Sequence, residues 1–317
     1  MRKEKYRKKR QRAFWRVLGI VFVLMAAGGG AYAYSVYHSM TTAVKTMHQP
    51  IQRVKSEKRV EEIVLEQQDP FSVLLLGVDE RAGDKGRSDT IIVLGVNPNT
   101  NSIKMVSIPR DTRTELIGRG TEDKINHAYA YGGIEMSINT VENFLDIPID
   151  YYIQINMEGF KDIVDSVGGV TVANDYAFSY EGHDFPKSEI TLNGDEALAF
   201  SRMRYEDPRG DFGRQLRQRM IIQGIIKNGA SLSSLGNYKQ IFAALGKNVK
   251  TNLTFDEMVD IQSNYKDAAG NVTQIDMTGT GEKIDETFYL LVDKKEQVRV
   301  QNELKEQLGL MTPKAGV

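Results

Sequence analysis

Four short stretches of the chain put charge where a plain sheet protein has no structural need for it. Gly77-Val78-Asp79-Glu80-Arg81 carries an acid and an arginine at the end of an apolar run, and Arg87-Ser88-Asp89-Thr90 places an acid at the start of the next. Ile108-Pro109-Arg110-Asp111-Thr112-Arg113 does the same where a third run ends. Ser201-Arg202-Met203-Arg204 is followed by Gly210-Asp211-Phe212-Gly213-Arg214-Gln215 and then Gln218. Two carboxylates at strand ends, Asp79 and Asp89, suit a hard divalent cation such as Mg²⁺, with Mn²⁺ as the alternative; such an ion takes one or two carboxylates and fills its shell with water and phosphate oxygens. Arginines add forked donors that match phosphate oxygens two at a time. Together these residue types describe a pyrophosphate site.

Each element also has a plainer reading. A lone Asp–Arg pair at a strand end is more often a surface ion pair worth about 0–1 kcal/mol. Arg113, Arg119, Arg209, Arg217 and Arg219 read equally well as solvated, and His127, beside Ala128 and Ala130, reads as a hydrogen-bonded core residue before it reads as a base. Zinc has no support, because there is no Cys and no His cluster. Neither a Gly-x-Ser-x-Gly elbow nor a P-loop is present. On a helix after Gly210, residues Asp211, Arg214, Gln215 and Gln218 share one arc, and Ile221, Ile222 and Ile225 continue it. A ligand with a charged head and an apolar tail fits such a face, and so does a helix that simply enters the core.

The elements that must position these residues are legible as pattern. FSVLLLGVD and TIIVLGVN are apolar without strict alternation, as strands covered on both faces are, and SIKMVSIP returns as a third strand after the turn Asn97-Pro98-Asn99-Thr100-Asn101. Asp123 to Leu145 reads as a helix broken at Gly132-Gly133. YYIQIN, GVTVAN and VTQIDM read as strands. MEGFKDIVDSVG, GDEALAFSRMR, DFGRQLRQRMIIQGIIKN, stretches near 237–246 and 255–265, and Lys294 to Leu308 read as helices. Alternation without an internal repeat predicts an α/β class with a mixed sheet between helical layers.

Composition sets the compartment. Lys and Arg number 41 against 42 Asp and Glu, a near balance that hides two opposite regions. Residues 1–16 hold nine basic residues and one acid, net +8, and the 32 basic and 41 acidic residues that follow give −9. Phe14 to Tyr34, with Arg16 as its only charge, is long enough at 1.5 Å per residue to cross a bilayer core of about 30 Å. The flanking basic residues predict a cytoplasmic N-terminus with the body outside, and Phe14, Trp15, Tyr32, Tyr34 and Tyr37 suit the two interfaces. A basic nucleic-acid-binding arm fits residues 2–12 poorly, because an apolar span follows at once, and no nucleic-acid partner is expected. Ala31-Tyr32-Ala33 resembles a signal-peptidase site, but the apolar run exceeds a usual signal core, which favours a retained anchor. The absence of Cys excludes a lipid-modified cysteine and disulfides and is compatible with a Gram-positive surface. The expected organisation is a cytoplasmic tail (1–13), a transmembrane signal-anchor (14–34), an extracellular stalk (35–69), a catalytic body (70–310) and a disordered tail (311–317). A helix packed on the body is the alternative for the stalk, whose mixed charge, lack of Gly and single Pro50 do not decide.

FSVLLLGVDER, RSDTIIVLGVNPNT, VSIPRDT, DKINHAYAYGG, VDSVGGV, LNGDEALAFSRMR and GDFGRQLRQ resemble, in order, the motifs of the LytR-CpsA-Psr family, and the chain looks most like its wall teichoic acid ligases. The resemblance spans about residues 70–230 and implies an α-β-α sandwich with a central mixed sheet behind one membrane helix. It further implies transfer of an anionic glycopolymer, through its phosphate, from a polyprenyl-pyrophosphate carrier to the muramic acid 6-hydroxyl of peptidoglycan. Carried over by position, Asp79 and Asp89 hold Mg²⁺, and Arg81, Arg110, Arg202, Arg204 and Arg214 with Gln218 bind pyrophosphate. Arg113 is added to that set from the third charged stretch. The lipid enters an apolar pocket, for which Ile221, Ile222 and Ile225 are the candidates. Asp111 and Asp211 are candidate bases that serve equally well to orient arginines. The location expected is the cell membrane, single-pass type II, with the catalytic domain outside. The competing readings are a polyprenyl-pyrophosphate phosphatase using water as acceptor, and a non-catalytic wall-binding or regulatory module.

Overall fold

The computed structural model describes residues 2–53, 55–79, 86–229 and 245–311. Its centre is a six-stranded sheet of β1 (Phe71–Val78), β2 (Ser88–Asn97), β3 (Ser102–Ser107), β6 (Tyr151–Ile155), β11 (Val249–Thr251) and β12 (Val272–Ile275), in the order β11-β6-β1-β2-β3-β12. The sheet is mixed: β1–β2, β2–β3 and β6–β11 run antiparallel, and β1–β6 and β3–β12 run parallel.

Period-two alternation sends the apolar runs to both faces. Leu74, Leu76, Val78, Ile91 and Val93 pack against α2 (His127–Leu145) and α7 (Lys294–Gln307), through residues such as Val141, Phe144, Val300 and Leu304. Phe71, Val73, Ile92 and Leu94 face the other way, toward α5 (Asp211–Gly229) and α6 (Phe255–Asn264) through Ile222, Ile226, Met258 and Ile261. The expected α-β-α sandwich follows. A third cluster lies behind α5, where α3 (Met157–Ser166), β7 (Val170–Ala173), β10 (Glu189–Leu192) and α4 (Gly194–Arg202) enclose Val164, Val170, Phe178, Phe200 and Ile221. Capping boxes start α4 (Asn193 with Glu196) and α6 (Thr254 with Glu257), each satisfying two otherwise orphaned backbone donors.

Several local expectations change. Asp123 and Lys124 belong to β5 (Thr121–Lys124), which pairs with β4 (Arg113–Leu116), so α2 starts only at His127; its break falls at Gly133, whose φ is 64°. The hairpins β8–β9 (Phe178–Tyr180, His183–Phe185) and β13–β14 (Thr280–Ile284, Thr287–Leu291) were not anticipated: the strands of the first are too short to set a period, whereas β14 carries an apolar run, 288–291, that sequence reading passed over. Of the helix expected near 237–246, residues 237–244 lie outside the described residues, as do 312–317 of the tail.

The N-terminal segment is one helix, α1 (Arg2–Met47), of which Leu18–Met47 is long and apolar enough to cross a membrane. Residues 35–69 do not form a spacer. Ala43, Val44 and Met47 pack on Val249 at the sheet edge. The irregular chain that follows is tied to the body by Arg53–Glu142 and Arg59–Asp150 pairs at 2.6 and 2.7 Å. Up to Met47 the segment 35–69 is helical, and its apolar stripe is covered by the sheet edge.

Candidate active site

The charged stretches converge at the end of the sheet where β1 and β6 finish and β2 begins. The ladder between β1 and β2 steps from Gly77↔Thr90 to Val78↔Ser88, so Asp89 is the extra residue of a β-bulge. A bulge frees its extra residue from cross-strand pairing and re-aims its side chain. Gly77 permits this, because a Cβ there would lie 2.9 Å from Thr90 Cβ. Asp79 continues the strand pair, its N–H donating to Arg87 O at 3.3 Å. Asp79 and Asp89 thus stand on neighbouring strand ends. Arg81 lies outside the described residues.

Arg110 is held at its backbone, where its carbonyl accepts from Asn126 N–H at 3.3 Å and the next turn closes with Thr112 N–H to Pro109 O at 3.0 Å. Its guanidinium lies 2.9 Å from Asp89 Oδ1 and 3.8 Å from Asp111 Oδ2. Burial works against its charge, but Asp89 foremost, with Asp211 and Asp111, outweighs burial and lifts its pKa above the ordinary arginine value. Asp111 is held in turn by Lys124 Nζ at 2.8 Å.

Arg214 reaches the same point from the first turn of α5. It is buried, and burial lowers its pKa; Asp211 and Asp89 counter this, while Arg110 and Arg204 add to it. Three guanidinium groups and three carboxylates therefore share one electrostatic field. Asp211 lies 2.7 Å from Arg214 Nη2 and accepts from Gln215 Nε2 at 2.9 Å. The buried Nε of Arg214 nevertheless has no acceptor among the described residues. A buried donor left unmade costs about 1–3 kcal/mol, so this one is open to an acceptor from outside the described residues. Asp111 and Asp211 both hold cationic partners, the orienting arrangement anticipated beside the base reading.

Arg202 and Arg113 do not join this group. Arg202 ends α4, is exposed, and pairs with Glu181 at 3.0 Å, whereas Arg204, two residues on, faces the site after the chain turns at Met203. Arg113 pairs with Glu122 at 2.7 Å across the β4–β5 hairpin. Gln218 is half-buried one turn along α5 from Arg214. The isoleucines divide between two layers: Ile221 is fully buried and Ile225 packs beside it in the cluster around Phe200, while Ile222 faces the sheet with Ile226. A helix wedged between two layers buries apolar residues on both sides, which no single-face reading anticipates.

Two arginines read as solvated are buried instead. Arg219 bonds Gln274 Oε1 and Asp276 Oδ1, both at 2.8 Å, tying α5 to the end of β12. Arg217 spans the loop that carries Arg204, donating to Phe200 O at 3.0 Å, Met203 O at 2.5 Å and Asp207 Oδ2 at 2.6 Å. Burial alone would raise the pKa of Asp207, but hydrogen bonds from Arg209 and Arg217 outweigh it and hold the carboxyl at about 2. Gly213 leaves room for that carboxylate, since a Cβ there would stand 2.0 Å from Asp207 Oδ2. The cue in sequence was the Gly between Phe212 and Arg214; nothing periodic links it to Asp207. His127 is hydrogen-bonded as expected, through Nδ1 to Asp123 Oδ2 at 2.8 Å, and is half-buried at the start of α2.

The two carboxylates fit the one or two that Mg²⁺ takes from protein, with Asp89 partly exposed and shared with Arg110. No group of three potential metal ligands occurs among the described residues, so such an ion would draw the rest of its shell from water and phosphate.

Known proteins resemble this chain in sequence and fold. The model of the LytR-CpsA-Psr family matches residues 34–306. The polyisoprenyl-teichoic acid–peptidoglycan teichoic acid transferase TagU of Bacillus subtilis is 53% identical over 308 residues, 97% of this chain and 99% of that protein. The crystal structure of B. subtilis TagU, 55% identical, covers 76% of this chain and 97% of its own, with a TM-score of 0.62. A structure of the family protein YwtF (TagT) with bound octaprenyl pyrophosphate lipid is 30% identical and covers 83% of this chain and 100% of its own, with a TM-score of 0.67.

Proposed function

The chain belongs to the LytR-CpsA-Psr family, and from that membership we propose that it is a phosphotransferase moving an anionic glycopolymer such as wall teichoic acid from a polyprenyl-pyrophosphate carrier to peptidoglycan. The observation that carries this reading is the buried Arg214, whose Nε has no acceptor among the described residues and which has two further arginines in its field. A pyrophosphate brings an acceptor for the Arg214 Nε and further oxygens for Arg110 and Arg204 to share.

The chemistry is displacement at phosphorus. The muramic acid 6-hydroxyl attacks the phosphorus attached to the polymer, the bond to the bridging oxygen breaks, and polyprenyl phosphate leaves. Such transfers need positioning and charge neutralisation more than covalent help. Arg110, Arg204 and Arg214 neutralise the non-bridging oxygens. Asp211 orients Arg214 and Gln215, and Asp111 with Asp89 orients Arg110. A Mg²⁺ or Mn²⁺ ion held by Asp79 and Asp89 would supply further charge neutralisation on the diphosphate. The +8 segment supports a cytoplasmic N-terminus with the domain outside, single-pass type II on a Gram-positive surface, because basic residues flanking a span resist translocation. The donor, resident in the same bilayer, is then within reach.

The test uses the full chain in vesicles containing lipid-linked polymer, with peptidoglycan added outside. Arg214→Ala should lower polymer attachment about 10²–10³-fold, the cost of removing one well-placed donor to a developing anion. Arg202→Ala should cost about tenfold or less, because its present partner is a surface carboxylate. Undiminished transfer by Arg214→Ala would overturn the assignment, and donor cleavage that proceeds equally without peptidoglycan would make the enzyme a phosphatase.

A further inference from the structure

The anchor does not merely tether the domain but sets which end of it meets the bilayer. The apolar run ends at Tyr34, and Val36, two residues later, is already buried against the body, so no slack separates membrane from domain. Direction follows from the neighbours of α1. His48 bridges Thr251, whereas Ala43 lies against Gly246, where an added Cβ would stand 3.5 Å from Ala43 Cα. In β11, Thr251 pairs with Ile153 and Val249 with Ile155, so stepping back along α1 moves toward the C-terminal end of β6. Because β6 is parallel to β1, that is also the end that carries Asp79 and the arginine cluster.

Two exposed aromatic side chains stand at this end. Tyr205 is 89% exposed beside Arg204, whose guanidinium carbon lies 5.5 Å from its ring, and Phe212 is 42% exposed beside Asp211. Neither ring is buried among the described residues. Aromatic residues with one apolar and one polar flank favour the membrane interface. We propose that Tyr205 and Phe212 seat in the interfacial layer of the bilayer as a second membrane contact, so that the arginine cluster opens directly onto the lipid headgroups. This rests on the reading of α1 as a membrane anchor and extends it to the orientation of the domain. At the far end Val60 is 90% exposed, and its neighbour Arg59 bonds Pro70 O, just before β1 begins.

The chain has one tryptophan, Trp15, which makes fluorescence a direct reporter. In a Trp15→Phe background, Tyr205→Trp, Phe212→Trp and Val60→Trp are each introduced into the full chain and reconstituted into phosphatidylcholine vesicles containing no donor lipid. With acyl chains brominated near the headgroup, Tyr205→Trp and Phe212→Trp should each lose emission about twofold or more, as an interfacial ring does, and Val60→Trp should lose none. Emission from Tyr205→Trp and Phe212→Trp as unquenched as that from Val60→Trp, in protein that floats with the vesicles, overturns the proposal. Failure to float would instead remove the anchor reading, and the proposal with it.

Discussion

Replacing Arg217 by methionine keeps an unbranched apolar stem and removes three donor nitrogens from a buried pocket. Asp207 Oδ2 loses its 2.6 Å partner, and the carbonyls of Phe200 and Met203 lose bonds at 3.0 and 2.5 Å. Breaking one side of a buried ion pair costs about 3–5 kcal/mol. The lower figure applies, because Arg209 still reaches both Asp207 oxygens at 3.0 Å. For a domain of this size about 3 kcal/mol corresponds to a fall in melting temperature of about 6–12 °C. The functional consequence is local, since Arg217 fastens the chain between Phe200 and Asp207 that carries Arg204. Arg217→Met should therefore raise the KM for the lipid-linked donor more than it lowers kcat, and Arg217→Lys, which restores charge without the fork, should recover part of both effects. Melting of the full chain in detergent and transfer kinetics in vesicles measure the two. A melting temperature within about 2 °C of the parent, or a donor KM unchanged in a destabilised variant, refutes the clamp.

The same clamp responds to acid. The Asp207 carboxyl is held at about 2, below its unfolded value of 3.8, so the unfolded chain takes up the proton first as pH falls. Its stabilisation, about 2 kcal/mol, is complete above roughly pH 4 and lost between about pH 4 and 2; the stability gap between the parent and Asp207→Asn should close over that window in denaturant titrations. Gly77→Ala forces a methyl to within 2.9 Å of Thr90 Cβ and should cost about 1–3 kcal/mol while shifting the bulge, so transfer should fall by more than the loss of folded protein explains. Chelation should abolish transfer, with Mg²⁺ or Mn²⁺ restoring it; Asp89→Asn should need a higher metal concentration, and indifference of the parent to chelator would exclude the metal assignment.

Much of the fold is legible in the chain because its signals are local. The runs before Asp79 and after Asp89 are apolar on both faces, so they had to be covered strands, and the Asn193–Glu196 box had to start a helix. The β8–β9 hairpin was hidden, since three-residue strands are too short to set a period, while the apolar run 288–291 of β14 was legible and passed over. Within the site, Asp79, Asp89, Arg110 and Arg214 could be picked out because each is a charge abutting an apolar element. The role of Arg217 could not, because a buried arginine and a solvated one have the same sequence.

Residue order alone therefore determined the α/β class, an apolar segment long enough to cross a membrane, the segregation of +8 from −9, and the inventory of charged groups beside the apolar elements. Tertiary structure decided which members of that inventory meet. Arg202 and Arg204 are two residues apart, yet the end of α4 sends one to Glu181 and the other toward Arg214. Arg110 and Arg214 come together only because a bulge, a strand end and the first turn of α5 share one end of the sheet. Charge convergence depends on register and packing between segments far apart in the chain, and no local pattern encodes it.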